Sequence, residues 1–439
     1  LFLCAAFIIR VRVAQLRLII FFIEEKRAGK VDKINLCMLA PEFLPVWGGT
    51  GSYTIELIKS LPKNVDVHVV TLKRDLPGMS HSTFGENELR SIFKRDIQVH
   101  PVSSSKETFF YNLPFQMACY KEIPRLHKEF NFDIIHSHLC HMPDVFLQIL
   151  HGIHVPTVLT VHGTIQSLRA HALLARSMFG DLESSEDSIL RFYPIIRFLQ
   201  QKYVKRVSRL IAVSDMTRKL ALEDLNVRKE KVTLVYNGVD TELFRWPPDE
   251  QLEKKYSEPT VVYVGRLIAK KGINILIDAM PEVLKKFKDT QFLFIGSGNI
   301  SAYKKIIRSK GIPDKNFSFL GHLGYFERQK ILQKTTVFVN PSFFENCSIS
   351  ILEAMSCGCS VVACNVGGNP ELIESGQNGL LVPAFDRKKL SASILSLLEN
   401  ETFNKSISRN ARKTVEEKFS SIKSAKETCA VYDQTLSNQ

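Results

Sequence analysis

Nothing at the start of this 439-residue sequence is apolar for long enough to cross a bilayer. The longest uninterrupted run there, Leu1 to Ile9, is nine residues, against about 20 for a helical span. Arg10, Arg12 and Arg17 break up the apolar residues beyond it, and a secretory signal would carry its charge ahead of the apolar run. The chain opens on Leu1, and residues 1–30 are expected to be a leader that is disordered or not native, with a weak membrane anchor as the competing reading. None of the nine cysteines forms a Cys-x-x-Cys pair. Cys357 and Cys359 leave zinc or a disulfide open, but small buried thiols in a reduced, intracellular protein are the simpler expectation. An Asp-x-Asp pair, a Walker loop and a Gly-x-Gly-x-x-Gly fingerprint are all missing. The net charge of +13 is spread without a Lys/Arg tract, so nucleic acid is not expected as a partner.

What is present is a globular composition, 45 % hydrophobic and 23 % charged, in a chain long enough for two domains. Short apolar strands at Ile34–Ala40, Val65–Thr71, Ile97–Val102, Phe132–His138, Thr157–His162, Leu210–Val213 and Val232–Tyr236 alternate with helical stretches such as Pro114–Phe130. That alternation predicts a parallel sheet covered on both faces. After the linker Arg245-Trp246-Pro247-Pro248 it restarts, with strands at Thr260–Val264, Gln291–Ile295, Ser318–Leu320, Val337–Asn340 and Ser360–Cys364. The fold class is therefore α/β, in two units at 31–240 and 241–400 with a cleft between them. Ligands in such sheets sit at the carboxyl ends of the strands. Polar helices at Asp386–Glu399 and Glu401–Ser420 and a ragged tail close the chain.

The stretch Val337–Pro383 concentrates the chemistry. A strand leads through a loop carrying Glu345 into a helix, Ile349–Ser356, that holds Glu353. The unpaired N–H groups at that helix start offer a site for a diphosphate, and a carboxylate in the second turn suits a ribose diol. Arg266 and Lys271 flank a helix start after an earlier strand and would stabilise a leaving diphosphate, unless they are a solvated surface pair. Gly48-Gly49-Thr50-Gly51 is a loop that allows close backbone approach to a phosphate or sugar, or a plain tight turn. His162 closes a strand at the cleft edge, where it could bond a sugar hydroxyl or merely cap the strand. His136 and His138 share a strand face, as metal ligands sometimes do, but no carboxylates stand beside them, so no metal is expected. Residues 166–209 carry eight Arg/Lys against four Asp/Glu with aromatics between, a pattern for an anionic membrane or lipid-linked acceptor, or for a solvated face.

Taken in order, these pieces resemble the retaining GT-B glycosyltransferases of family 4 (glycosyl transferases group 1), from about Ile34 to about Phe419. The likeness is carried by Gly265-Arg266-Leu267 with Lys271-Gly272, Asn340-Pro341-Ser342 with Glu345, Leu352-Glu353-Ala354-Met355, Cys357-Gly358 and Val366–Glu371. In the first unit Gly48-Gly49, Val161-His162, Ala212-Val213-Ser214 and Tyr236–Asp240 match. The resemblance implies two facing Rossmann-like domains, the first on the acceptor side and the second binding a nucleotide sugar. A C-terminal helix near Glu401–Phe419 would cross back to the first domain, within a segment 401–439. It implies a nucleoside-diphosphate sugar as donor, no metal or other cofactor, and retention by same-face attack. Arg266, Lys271 and the backbone amides of Ile349 and Ser350 would hold the diphosphate, Glu353 the ribose and Glu345 the transferred sugar. Gly49 would approach the diphosphate from the other domain, and His162 would contact the sugar near its anomeric centre, with His162 and Glu345 as the catalytic pair.

The departure from the family pattern is Asn346-Cys347-Ser348, where Gly-Phe-Gly is common; specificity for the sugar is expected there, with Glu371 shaping the pocket loop. The acceptor is expected to be a glycan, a lipid-linked molecule or a small molecule, and the location cytoplasmic, with peripheral contact to the inner face of the membrane as a further expectation. A non-hydrolysing nucleotide-sugar epimerase and a catalytically silent GT-B binding subunit are the competing functions.

Overall fold

The computed structural model describes residues 33–44, 48–73, 86–104, 113–151, 154–179, 184–248 and 255–437, so the expected leader at 1–30 lies outside the described residues. Seven parallel strands build the first sheet: β1 (Ile34–Ala40), β2 (Val65–Lys73), β3 (Gln98–Ser104), β4 (Ile134–His138), β5 (Thr157–Val161), β6 (Arg209–Ala212) and β7 (Val232–Leu234). Their spatial order is β3-β2-β1-β4-β5-β6-β7. Six more, β8 (Thr260–Val264), β9 (Gln291–Ile295), β10 (Phe317–Gly321), β11 (Val337–Asn340), β12 (Ser360–Cys364) and β13 (Leu380–Val382), form the second sheet in the order β10-β9-β8-β11-β12-β13. In each sheet the order reverses at one place, between β1 and β4 and between β8 and β11. That crevice beyond the strand ends is where such folds bind ligands.

The central strands are apolar on both faces because helices cover both. β4, β5 and β12 are buried along their whole length. One apolar cluster runs from Leu36, Met38 and Ile211 of the first domain through Leu352, Met355 and Ala363 of the second to Tyr432. The two domains therefore share core, and the cleft floor is held by packing as well as by polar contacts.

The C-terminal region differs from expectation. The helix Glu401–Lys418 stays on the second domain, against β12 and the helix Ile349–Ser356. The stretch expected as a ragged tail is instead the helix Ser421–Leu436, and this is the element that crosses to the first domain, packing on the helix Gly49–Ser60, β5 and β6. Its buried face is Ser424, Ala425, Thr428, Val431, Tyr432 and Thr435. Small and hydroxylated residues make that stripe weakly apolar, which hides it from hydrophobic periodicity. The short β13, the helix Glu86–Phe93 and the helical turn Asn369–Leu372 also lie outside the sequence reading.

Candidate functional site

A cavity of about 640 Å³ opens where the two strand-order reversals face each other. Every residue expected to touch the donor lines it: Gly49 and His162 from the first domain, and Arg266, Lys271, Glu345, Ile349, Ser350 and Glu353 from the second. Asn346, Cys347 and Ser348 line it too.

The second-domain wall starts from the loop after β8. Gly272, at φ +71, lies so close to the Pro341 carbonyl that a Cβ would stand 1.9 Å from its oxygen, which brings Lys271 onto the loop after β11. Lys271 Nζ donates to Glu345 Oε1 at 2.7 Å, and Asn340 Nδ2 donates to the same oxygen at 3.3 Å. Both bonds fall on Oε1, so Oε2 is the oxygen left for a ligand. The helix Ile349–Ser356 begins two residues beyond Asn346-Cys347. Ser348 stands in its cap position but makes no cap bond; its hydroxyl bonds Asn340 Nδ2 at 3.3 Å and Ser350 Oγ at 3.1 Å. The first N–H groups of that helix are therefore uncapped and border the cavity.

Glu353 has a partner that sequence reasoning missed. Arg328, on the helix Tyr325–Lys334, donates from Nε to Glu353 Oε2 at 2.8 Å and from Nη2 to Oε1 at 2.6 Å, a two-pronged ion pair. The side chains are only 7 % and 3 % exposed. Burial pushes the Glu353 carboxyl above the usual carboxylate range, and the guanidinium beside it offsets only part of that rise. On Arg328 the pull of burial is outweighed by the carboxylate, which raises it. Arg328 also reaches the Leu323 carbonyl, beside His322 in the cavity wall. The signal was present: Tyr325, Arg328, Gln329 and Leu332 are the buried stripe of their helix, so Arg328 is a cation on a core face, which demands a buried carboxylate.

The first-domain wall is built from histidines and a carboxylate. His138 Nδ1 and His162 Nε2 are 3.2 Å apart, and His138 Nε2 is 3.2 Å from Thr54 Oγ1. The Thr54 hydroxyl donates to the Thr50 carbonyl at 3.0 Å, so toward His138 it accepts. Assigned on that basis, His138 carries its proton on Nε2, His162 carries its own on Nε2, and the Nδ1 lone pair of His162 is left on the ring that lines the cavity. Burial first, then neighbouring histidines, pulls His162 down to about 3, so it is a neutral hydrogen-bonding group at neutral pH and not a charged one. His136 is held by Tyr432 at 2.6 Å and Thr160 at 2.7 Å, which gives this pair of strand histidines structural partners.

The sequence reading of Gly48–Gly51 as a loop needs correction. The helix Gly49–Ser60 starts there, and the Glu42 carboxylate accepts from the N–H groups of Gly48 at 3.0 Å and Gly51 at 3.2 Å. Gly49 stays open, since a Cβ on it would meet nothing within 4 Å.

Polar contacts tie the walls together. Glu371 accepts from the backbone N–H of Asp215 at 2.6 Å and Met216 at 2.9 Å and from Tyr236 Oη at 3.0 Å, capping a first-domain helix from the second domain. Gly367, at φ +55, lets that loop cross the Glu345 backbone, where a Cβ would meet the carbonyl oxygen at 1.8 Å. Lys270 pairs with Glu186 at 2.6 Å, Asn237 Nδ2 donates to the Cys347 carbonyl at 2.8 Å, and Asn346 donates to the His162 carbonyl. The segment expected to carry sugar specificity thus also joins the domains.

Comparison with known proteins gives one consistent result. The model for "Glycosyltransferase Family 4" matches residues 47–243, and that for "Glycosyl transferases group 1" matches residues 245–414. An uncharacterised glycosyltransferase of Methanocaldococcus jannaschii is 26 % identical over 396 residues, which is 89 % of this chain and 96 % of that one. Among solved structures, sucrose-phosphate synthase from Thermosynechococcus elongatus superposes with a TM-score of 0.73 at 17 % identity, covering 92 % of this chain and all of that one (100 %). Anabaena HepE in complex with UDP-glucose gives 0.68 at 20 % identity, covering 92 % and 100 %.

Proposed function

The chain belongs to the group 1, family 4 glycosyltransferases, with the GT-B fold of two Rossmann-like domains, and from that premise we propose that it moves a hexose-type sugar from a nucleoside-diphosphate sugar to an acceptor hydroxyl with retention of anomeric configuration. One observation carries the proposal. A single cavity joins two cations, an uncapped helix N-terminus and two carboxylates of different environment. HepE, of the same fold, is solved with UDP-glucose, which supports a donor of this class.

In this reading Arg266, Lys271 and the N–H groups of Ile349 and Ser350 take the diphosphate, and Gly49 borders it from the other domain. Glu353, already oriented by Arg328, accepts from the ribose diol through its remaining lone pairs. Glu345 Oε2 and the His162 Nδ1 lone pair accept from hydroxyls of the donor sugar. The bond from the anomeric carbon to the diphosphate oxygen breaks as the bond to the acceptor oxygen forms on the same face. The acceptor proton passes to the departing diphosphate. Lys271, shared between Glu345 and the diphosphate, and the helix end offset the charge that develops on the leaving group, with no metal in the proposal. The acceptor is a glycan or lipid-linked molecule, and the enzyme works in the cytoplasm in peripheral contact with the inner face of the membrane.

The test is a panel of nucleotide sugars without acceptor, read as slow hydrolysis and as thermal shift with the matching nucleoside diphosphate. A protein that no nucleoside diphosphate shifts sinks the proposal, and recovery of an epimerised free nucleotide sugar replaces it with an epimerase.

A further inference from the structure

We propose that the helices Ile165–Phe179 and Ser184–Arg206 form a docking face for the surface of an anionic phospholipid bilayer, from which an acceptor with an apolar tail enters the cleft. The proposal deepens the acceptor part of the reading above and rests on it only there.

On the second helix Phe192, Ile195 and Phe198 follow at intervals of three and are 47 %, 61 % and 58 % exposed. Leu173 and Leu174 on the first helix are 43 % and 42 % exposed. Isolated exposed apolar residues need no explanation; rings and branched chains gathered on two packed helices do. Beyond the first turn of the second helix, where Glu186 and the exposed Asp187 stand, the charge has one sign. From residue 188 to residue 209 there is no Asp or Glu, while Arg191, Arg197, Lys202, Lys205 and Arg206 stand on that helix. Glu186, at its start, is tied to Lys270 at 2.6 Å on the cleft side. The cations lie beside the rings: Arg191 is 5.5 Å from the Phe192 centroid and Lys202 is 5.6 Å from that of Phe198.

That combination selects the occupant. Aromatic and aliphatic tips flanked by guanidinium and ammonium groups match a headgroup layer, in which the rings sit at the acyl boundary and the cations meet phosphates. A second copy of this chain would set cation against cation. Continuity with the site gives the docking a purpose. Leu174 is both exposed and part of the cavity wall, where Leu168, Ala175 and Ile189 extend the apolar strip inward. A tail lying in the bilayer surface would follow that strip and leave its hydroxyl end near Glu345.

The test uses the full chain and vesicles of phosphatidylcholine alone or mixed equally with phosphatidylglycerol. Flotation with the mixed vesicles, weaker in high salt, is expected. The triple variant Phe192→Ser/Ile195→Ser/Phe198→Ser should bind them at least about tenfold more weakly while keeping the unsubstituted chain's thermal shifts across UDP, GDP, ADP and TDP. A Phe198→Trp variant, read against the unsubstituted chain, should be quenched by brominated lipid in the mixed vesicles. Triple-variant binding equal to the parent's, or a tryptophan at 198 that brominated lipid leaves untouched, overturns the docking face. So does a patch whose only effect is on self-association. An unsubstituted chain that none of UDP, GDP, ADP or TDP shifts would instead strike the proposed function, so the two failures are told apart.

Discussion

The two faces of the cleft present helix ends in opposite states. On the first-domain face, N–H groups at the start of Gly49–Ser60 are already bonded to the Glu42 carboxylate. On the second-domain face, the start of Ile349–Ser356 has no cap, and its candidate cap Ser348 turns elsewhere. Five other helices are closed at their starts by a side chain, through Ser214, Asn299, Asp386, Asn400 and Ser420, while Ile273–Lys286 and Tyr325–Lys334 begin after glycine and have no side-chain cap. Negative charge is thus supplied by the protein on one face and left for a ligand on the other. The first face is a finished wall that presents Gly49 and His162; the second is the electropositive seat.

Breaking the second face at Glu345 should have the largest effect. Glu345→Gln is expected to lower transfer by ~10³-fold while affinity for the matching nucleoside diphosphate stays within about threefold; a paired kinetic and titration measurement checks it, and a matching loss of affinity would make Glu345 a nucleotide residue. Next comes Arg328→Leu, which strands a buried carboxylate and should cost about 3–5 kcal/mol in urea unfolding. Adding Glu353→Leu should recover much of that, and a double variant as unstable as the single would contradict the pair. Arg266→Ala is expected to weaken binding of the matching nucleoside diphosphate by about 10- to 100-fold by calorimetry, and normal binding would remove it from the diphosphate site. Ile349→Pro probes the open helix start directly, since proline suits a first helical position but deletes an N–H. It should weaken nucleoside-diphosphate binding about tenfold beyond an Ile349→Ala control, whereas Gly49→Ala should leave the melting temperature unchanged and raise the donor KM about threefold. A small change is likewise expected from Glu42→Gln, about 1 kcal/mol of stability at the filled helix end with nucleoside-diphosphate affinity nearly unchanged. A large affinity loss there would show that the first face is not finished after all.

Much of this was legible in the sequence, because strands buried on both faces read as uninterrupted apolar runs and the motifs fall at their ends. Ile34–Ala40 and Ser360–Cys364 are of that kind, and the cavity-lining positions follow from them. What escaped depends on partners that lie outside the element being read, several of them far along the chain. Arg328 and Glu353 are 25 residues apart, and each looks anomalous only once both helices are known to face inward. Glu42 reads as one more loop acid until the helix beginning at Gly49 is seen. Glu371 was placed in a pocket loop, yet its carboxylate caps a helix 155 residues earlier, a contact that no local pattern encodes. The crossing helix was missed because its buried stripe is made of Ser, Thr and Ala, whose burial is decided by close approach rather than by hydrophobicity.

That crossing helix has a consequence for how the protein comes into being. The Tyr432 hydroxyl completes the hydrogen bonding of His136 inside the first sheet, and the Ser421 N–H bonds the Val239 carbonyl at 2.9 Å where the chain first left that domain. Both parts of the contact are synthesised on either side of the entire second domain. During translation the first domain must therefore wait, with a buried imidazole unsatisfied and an apolar flank bare, until residues beyond 432 have emerged from the ribosome. It is the domain made first and the one completed last, and a nascent chain stalled before Ser421 would be a natural client for a chaperone.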